Sequence, residues 1–228
     1  MNIAIIDCGT NTFHLLIVAT RQHHQFEIIF KKNIAVKLGE DGITSKVISP
    51  GPFSRGMSAL RFFKKEFEKH NVKKTVAFAT AAIRNAKNGQ EFIKQAKAET
   101  GIEIQTIDGM KEAELIYLGV RRAVSMTDEK VLIMDIGGGS VEFIIANKTK
   151  IFWQHSFEIG AALLLEKFKP HNPITKDEIK TVESFLDKEL SLLFEQLKKL
   201  KVKPKSLIGS AGSFETFAEM IAHQHFIL

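Results

Sequence analysis

The feature that most constrains this chain is a short element that occurs twice. Asp7-Cys8-Gly9-Thr10-Asn11-Thr12 and Asp135-Ile136-Gly137-Gly138-Gly139-Ser140 align without a gap, 128 positions apart, with Asp first, Gly third and a hydroxyl sixth. Each copy stands between two apolar runs, 2–6 and 13–20 for the first, 131–134 and 141–146 for the second. A third run follows each, at 25–31 and 151–157. Short strands joined by turns make an antiparallel meander, and its recurrence in the same order reads as two copies of one βββαβ unit facing each other.

The intervening segments fit an α/β chain. Met57, Leu60, Phe63 and Phe67 recur at helical spacing ahead of a buried-type strand at 74–80, so a helix lies between strands as a parallel crossover needs. A helix over about 90–100 stops at Gly101; a strand at 102–107 and a helix over 111–124 follow. The polar stretch 125–129 reads as a linker, which divides the chain into domains 1–125 and 126–228. In the second half Thr175-Lys176-Asp177-Glu178 forms a capping box that opens one helix to about Lys199. A short strand at 206–208, a third small-residue turn at 209–213 and a last helix over 214–223 complete the reading.

Composition bounds what such a chain can do. With 44% hydrophobic and 25% charged residues in 228, it has the balance of an ordinary globular protein. No apolar window of about 18 residues could span a bilayer. The single cysteine forms no internal disulfide, and the first residues lack a basic leader with a cleavage site. A cytosolic protein without a membrane partner is the expectation. The net charge of +6 divides as +7 over 1–125 and −1 over 126–228. A basic first half suits a polyanion, and equally a lysine-rich solvated surface, since the Lys residues are scattered along helices. One Tyr and one Trp leave few stacking platforms, so nucleic acid is not an expected partner. His14, His23, His24 and His155 lack the spacing of a metal set and read as structural or surface residues.

The turns carry the chemistry. Gly-rich backbone between two strands presents several amide N–H groups into one concavity that attracts phosphate oxygens. Glycine there tolerates φ > 0 and lets a ligand approach the main chain. Gly137-Gly138-Gly139, flanked by Asp135 and Ser140, therefore reads as a ligand turn. An Asp at the end of each first strand suits a hydrated divalent cation; the other reading is a turn cap bonding its own backbone.

These residues resemble a known family. Asp7 to Thr12, Ala79-Thr80-Ala81-Ala82-Ile83-Arg84-Asn85-Ala86, the segment Gly109 to Val120, and Asp135 to Glu142 are similar, in that order, to the motifs of the exopolyphosphatase / guanosine pentaphosphate phosphohydrolase (Ppx/GppA) family. Phe157-Glu158-Ile159-Gly160-Ala161 and Gly209-Ser210-Ala211-Gly212-Ser213 resemble its later motifs. The resemblance implies two ribonuclease-H-like domains of the actin/Hsp70/sugar-kinase (ASKHA) type around a cleft, with a second domain shorter than is usual. It implies hydrolysis of the terminal phosphate of inorganic polyphosphate, or of the 5′ phosphate of pppGpp, with Mg²⁺ or Mn²⁺.

Carried over by motif, Glu112 is the carboxylate that orients and deprotonates the attacking water, and Arg84 forks phosphate oxygens. Asn11 and Thr12 match the first phosphate loop, and Gly137, Gly138, Gly139 and Ser140 the second. Asp135 and Glu142 match carboxylates for metal and water, with Asp7 a further candidate. Glu142, two residues past Ser140 on a strand, shares that hydroxyl's face. The expected partners are polyphosphate or pppGpp and, in a homodimer, a second copy. Two other classes are a phosphotransferase of the same fold and a non-catalytic module that binds nucleotide or pppGpp.

Overall fold

A computed structural model describes residues 1–21 and 25–226. His23 and His24, in the expected polar connection between the second and third strands, lie outside the described residues. The chain falls into two compact units, Met1–Asp108 and Gly109–Leu228.

The first unit is built on β1 (Asn2–Cys8), β2 (Thr12–Thr20), β3 (Phe26–Ala35), β4 (Val72–Ala79) and β5 (Ile104–Thr106), in the order β3-β2-β1-β4-β5. β1 to β3 form the antiparallel meander, and β4 adds parallel to β1. The crossover helix α1 (Pro50–Lys69) starts behind Ser49 with proline in its first turn, where the missing N–H is not needed. α2 (Ala81–Asn85) and α3 (Gly89–Thr100) follow β4, and α3 ends at Gly101 in the left-handed conformation, φ 74°. The core lies on one face of the sheet. Phe13, Phe63 and Phe92 are fully buried, with Phe92 edge-on to Phe13 and Phe53. Gly56 makes this packing possible, because a Cβ there would stand 2.9 Å from the Phe92 ring. Truncating Phe92 to Ala removes a filled site of the kind worth about 3–5 kcal/mol.

The second unit opens with α4 (Gly109–Ala123), then β6 (Val131–Ile136), β7 (Val141–Ala146), β8 (Ile151–Phe157), α5 (Ala161–Phe168), α6 (Lys176–Glu189), α7 (Ser191–Lys199), β9 (Leu207–Ser210) and α8 (Gly212–Phe226). Its sheet runs β8-β7-β6-β9, with β6 to β8 antiparallel and β9 parallel to β6, so β6, β7, β8 and β9 repeat β1, β2, β3 and β4. This sheet is covered on both faces. Ala113, Tyr117 and Val120 of α4 pack on Ile133, Ile144 and Ala146, while Leu193 and its neighbours on α6 and α7 pack on Val141, Phe143 and Phe157. Every residue of β7 is accordingly buried. A boundary at 125/126 would assign α4 to the first domain; its apolar face belongs to the second unit's sheet.

Two helices differ from the sequence expectation. The run from 176 to 199 is broken at Leu190 (φ −85°, ψ 3°), so α6 and α7 are separate although the apolar stripe continues through both. No element is expected over α5, whose eight residues, opening on an apolar run before Glu166 and Lys167, are too short a window for a helical period to stand out.

Candidate active site

The two Asp turns are built alike. A Cβ on Gly9 would meet the Thr12 carbonyl oxygen at 2.9 Å, and one on Gly137 the Ser140 carbonyl oxygen at 3.0 Å. Neither glycine has φ > 0. The requirement at the third place is therefore steric: the chain's own carbonyl, three residues on, closes over the glycine. This corrects the expectation of left-handed backbone at these two glycines.

The turn carbonyls point into their own unit. Thr10 O accepts from Leu38 N at 2.7 Å, and Asn11 O from Val36 and Lys37 N, both at 2.9 Å. In the second unit Gly137 O accepts from Ala161 N at 3.0 Å, Gly138 O from Ala162 N at 2.9 Å and Leu163 N at 3.1 Å, and Gly139 O from Gly160 N at 3.2 Å. These bonds cap α5 with a loop in place of a side chain. In a trans peptide the N–H of the next residue points opposite to the carbonyl. The amides of Asn11 and Thr12, and of Gly138, Gly139 and Ser140, consequently face outward, the arrangement of an anion nest. Gly160 permits the close docking, since its Cβ would lie 2.5 Å from Gly138 and Gly139 backbone atoms.

One residue before each turn, a row of side chains crosses the sheet on one face. In the second unit it reads Ser156, Glu142, Asp135, Ser210 across β8-β7-β6-β9. Glu142 is 1% exposed, and its Oε1 accepts from the Ser156 hydroxyl at 2.6 Å. Two carboxylates directly opposite on adjacent strands repel each other unless a proton or cation intervenes. Asp135 and Glu142 are carboxylates that could hold a hydrated divalent cation, which takes one or two such groups from protein. Among the described residues no three His, Cys, Asp or Glu side chains converge as an all-protein metal site.

α4 lies on the same face as this row. A Cβ on Gly109 would meet the Ser156 Cβ at 2.3 Å, and Gln154 Nε2 donates to the Met110 carbonyl at 3.0 Å. Both contacts fix the start of α4 on β8, and Glu112 stands in the helix's first turn. Sequence reasoning missed Ser156 and Gln154; their signal was a pair of polar residues at alternate positions of an otherwise aromatic strand.

In the first unit the matching row is Asn33, His14, Asp7, Phe78 and Gln105. His14 Nδ1 and Asn33 Oδ1 are 2.9 Å apart, and Asp7 is exposed. Arg84 sits in α2, its Nη1 donating to the Ile107 carbonyl at 2.8 Å. Cys8, next to Asp7, is fully buried, and burial first, then the Asp7 charge, pushes its thiol well above the usual range. Of the expected non-ligand histidines, His14 makes the bond above and His155 stacks on Trp153 and packs edge-on to Phe157; His23 and His24 lie outside the described residues. The third turn places Ala211 at φ 68° and has Ser213 Oγ donating to Ile136 O at 3.2 Å.

Two mixed sheets, each an antiparallel meander extended by a parallel strand and each with the same glycine turn between its first two strands, define the ASKHA or actin-like class. A solved PilM–PilN type IV pilus biogenesis complex shares the fold at a TM-score of 0.56 and 11% identity, over 96% of this chain and 84% of that one. Within that class the chain belongs to the Ppx/GppA phosphatase family, which matches residues 16–226. A crystal structure of an exopolyphosphatase from Cytophaga hutchinsonii is similar at a TM-score of 0.94 and 40% identity, over 99% of this chain and 71% of that one. A bifunctional 3-dehydroquinate synthase/phosphatase from Fusobacterium nucleatum is 36% identical over 93% of this chain and 33% of its own length. The chain thus spans between a third and just over half of the first curated relatives it matches. No helix among the described residues is long and apolar enough to cross a membrane.

Proposed function

We propose that this chain hydrolyses the terminal phosphoanhydride bond of inorganic polyphosphate, and of the 5′ phosphate of pppGpp where that is offered. The observation that carries the reading is the second unit's juxtaposition: outward amides at 138–140, the carboxylate pair Asp135 and Glu142 beside them, and α4 docked on the same sheet face with Glu112 in its first turn. Phosphoryl transfer asks little covalent chemistry of a protein and much positioning. The amides of Asn11, Thr12, Gly138, Gly139 and Ser140 bind phosphate oxygens. Arg84, pre-oriented by Ile107, offsets charge on the transferred group. Glu112 accepts a proton from the attacking water. Asp135 and Glu142 would hold Mg²⁺ or Mn²⁺, with Asp7 as a further carboxylate, and such an ion would neutralise phosphate charge.

The test is phosphate release from polyphosphates of graded length beside pppGpp, with and without a chelator. Wild-type protein is expected to release phosphate, and Glu112→Gln to lose about 10²–10⁴-fold in rate while still binding polyphosphate. Near-normal turnover by that variant removes Glu112 from its role. A phosphorylated acceptor in place of free phosphate, or binding without turnover by the intact chain, would replace hydrolysis with transfer or with a binding module.

A further inference from the structure

Glu142 is placed by its neighbours more tightly than any other acid of the site. It is buried on a strand whose six residues are all buried, opposite Asp135 on β6 and Ser156 on β8. A buried carboxylate needs hydrogen-bond donors to replace the water it has lost. The Ser156 hydroxyl supplies one at 2.6 Å. Ser156 is itself held from above. The bare Cα of Gly109 packs on it so closely that any side chain at 109 would overlap the Ser156 Cβ and Oγ, at 2.3 and 2.5 Å. The same strand anchors α4 a second time through Gln154 and the Met110 carbonyl.

We propose that Ser156 is a positioning residue: the hydroxyl, locked under Gly109, orients the Glu142 carboxylate and at the same time sets the distance from β8 to the first turn that carries Glu112. The inference rests on the roles given to Glu142 and Glu112 above. One serine couples the two acids, because it touches one directly and the helix of the other through its Cβ. A partner that orients a carboxylate in this way is typically worth about 10–100-fold in metal affinity or activity.

The experiment is a double-mutant cycle with two readouts: kcat and KM for polyphosphate, and equilibrium Mn²⁺ binding by the full chain without substrate. Ser156→Ala is expected to lower kcat about 10-fold with KM for polyphosphate unchanged, and to weaken Mn²⁺ binding about 10-fold. On a Glu142→Gln background the same change is expected to add less than about twofold to either loss, because the group it orients is gone. Full additivity on that background overturns the proposal, as does a Ser156→Ala protein with unchanged kcat and unchanged Mn²⁺ binding. A fall in thermal stability with both readouts unchanged also overturns it, by making Ser156 a packing residue. Should the wild type release no phosphate from any substrate, the functional reading fails, and the Mn²⁺ arm of the cycle still decides whether Ser156 acts through Glu142.

Discussion

The two sheets share a turn and differ in what lies over them. β1 alternates between buried and exposed residues, and the face that carries Asp7 and His14 is open, with Ile5 beside them 39% exposed. β7 is buried throughout, and the face that carries Glu142 lies beneath α4. The backbone devices are nearly superimposable in kind: a glycine closed over by the carbonyl three residues on, and inward carbonyls tied to the segment after the third strand. The chemistry is not. An imidazole and an exposed carboxylate stand where the second unit has two facing acids, one of them almost fully buried. The repeat thus keeps the backbone of the turn, while the covering helix decides which copy buries a carboxylate.

The largest test of that contrast compares matched positions. Glu142→Gln is expected to lower phosphate release by about 10²-fold, in the range for losing a group at a metal site, whereas His14→Ala changes it by no more than about twofold, as an exposed substitution does. Equal losses would make the two rows equivalent and break the comparison. A smaller effect concerns the segments that tie down the turns. Gly160→Val drives a side chain into Gly138 and Gly139 backbone that has no room to yield, and is expected to destabilise by about 1–3 kcal/mol in chemical denaturation. Lys37, which donates to Asn11 O as Gly160 does to Gly139 O, has φ 47°. Lys37→Gly relieves left-handed strain and loosens the unfolded chain, two opposed effects that leave stability within about 1 kcal/mol of wild type.

The smallest effect sharpens the comparison between helix starts. Ser49 makes no side-chain cap for α1, whereas α6 begins with a complete capping box. Backbone and side-chain hydrogen bonds from Thr175 and His171 hold the Glu178 carboxyl down to about 2. Its folded value lies below the unfolded one, so its contribution is present in full above about pH 4.5 and is lost as pH falls toward 2. Amide protection at the start of α6, measured against the intrinsic exchange rate at each pH, should therefore fall across that window, while the start of α1 responds less. Glu178→Gln should remove the difference.

The strands and turns were legible because the Asp-x-Gly-x-x-hydroxyl element repeats between apolar runs, and the hairpins around both copies are where that spacing puts them. The capping box at Thr175 and the stop at Gly101 were equally legible, since each depends on residues adjacent in sequence. α5 was not. Its cap comes from Gly137 and Gly138 carbonyls more than twenty residues upstream, and its eight residues are too few to show a helical period. The attachment of α4 to the second sheet was hidden for a related reason: it rests on Gly109 lying against Ser156, a contact that neither residue announces alone. Of the site, the acids and glycines stood out by type, and the serine that holds Glu142 did not.

The burial of Cys8 has a practical consequence. It is the chain's single cysteine and belongs to the first unit, while the single tryptophan, Trp153, belongs to the second. A thiol reagent should leave the native protein unmodified and label it only when β1 opens, at a moment that indole fluorescence reports independently for β8. Each half of the molecule therefore carries its own clock for unfolding, and comparing the two would reveal whether the halves come apart together or in turn.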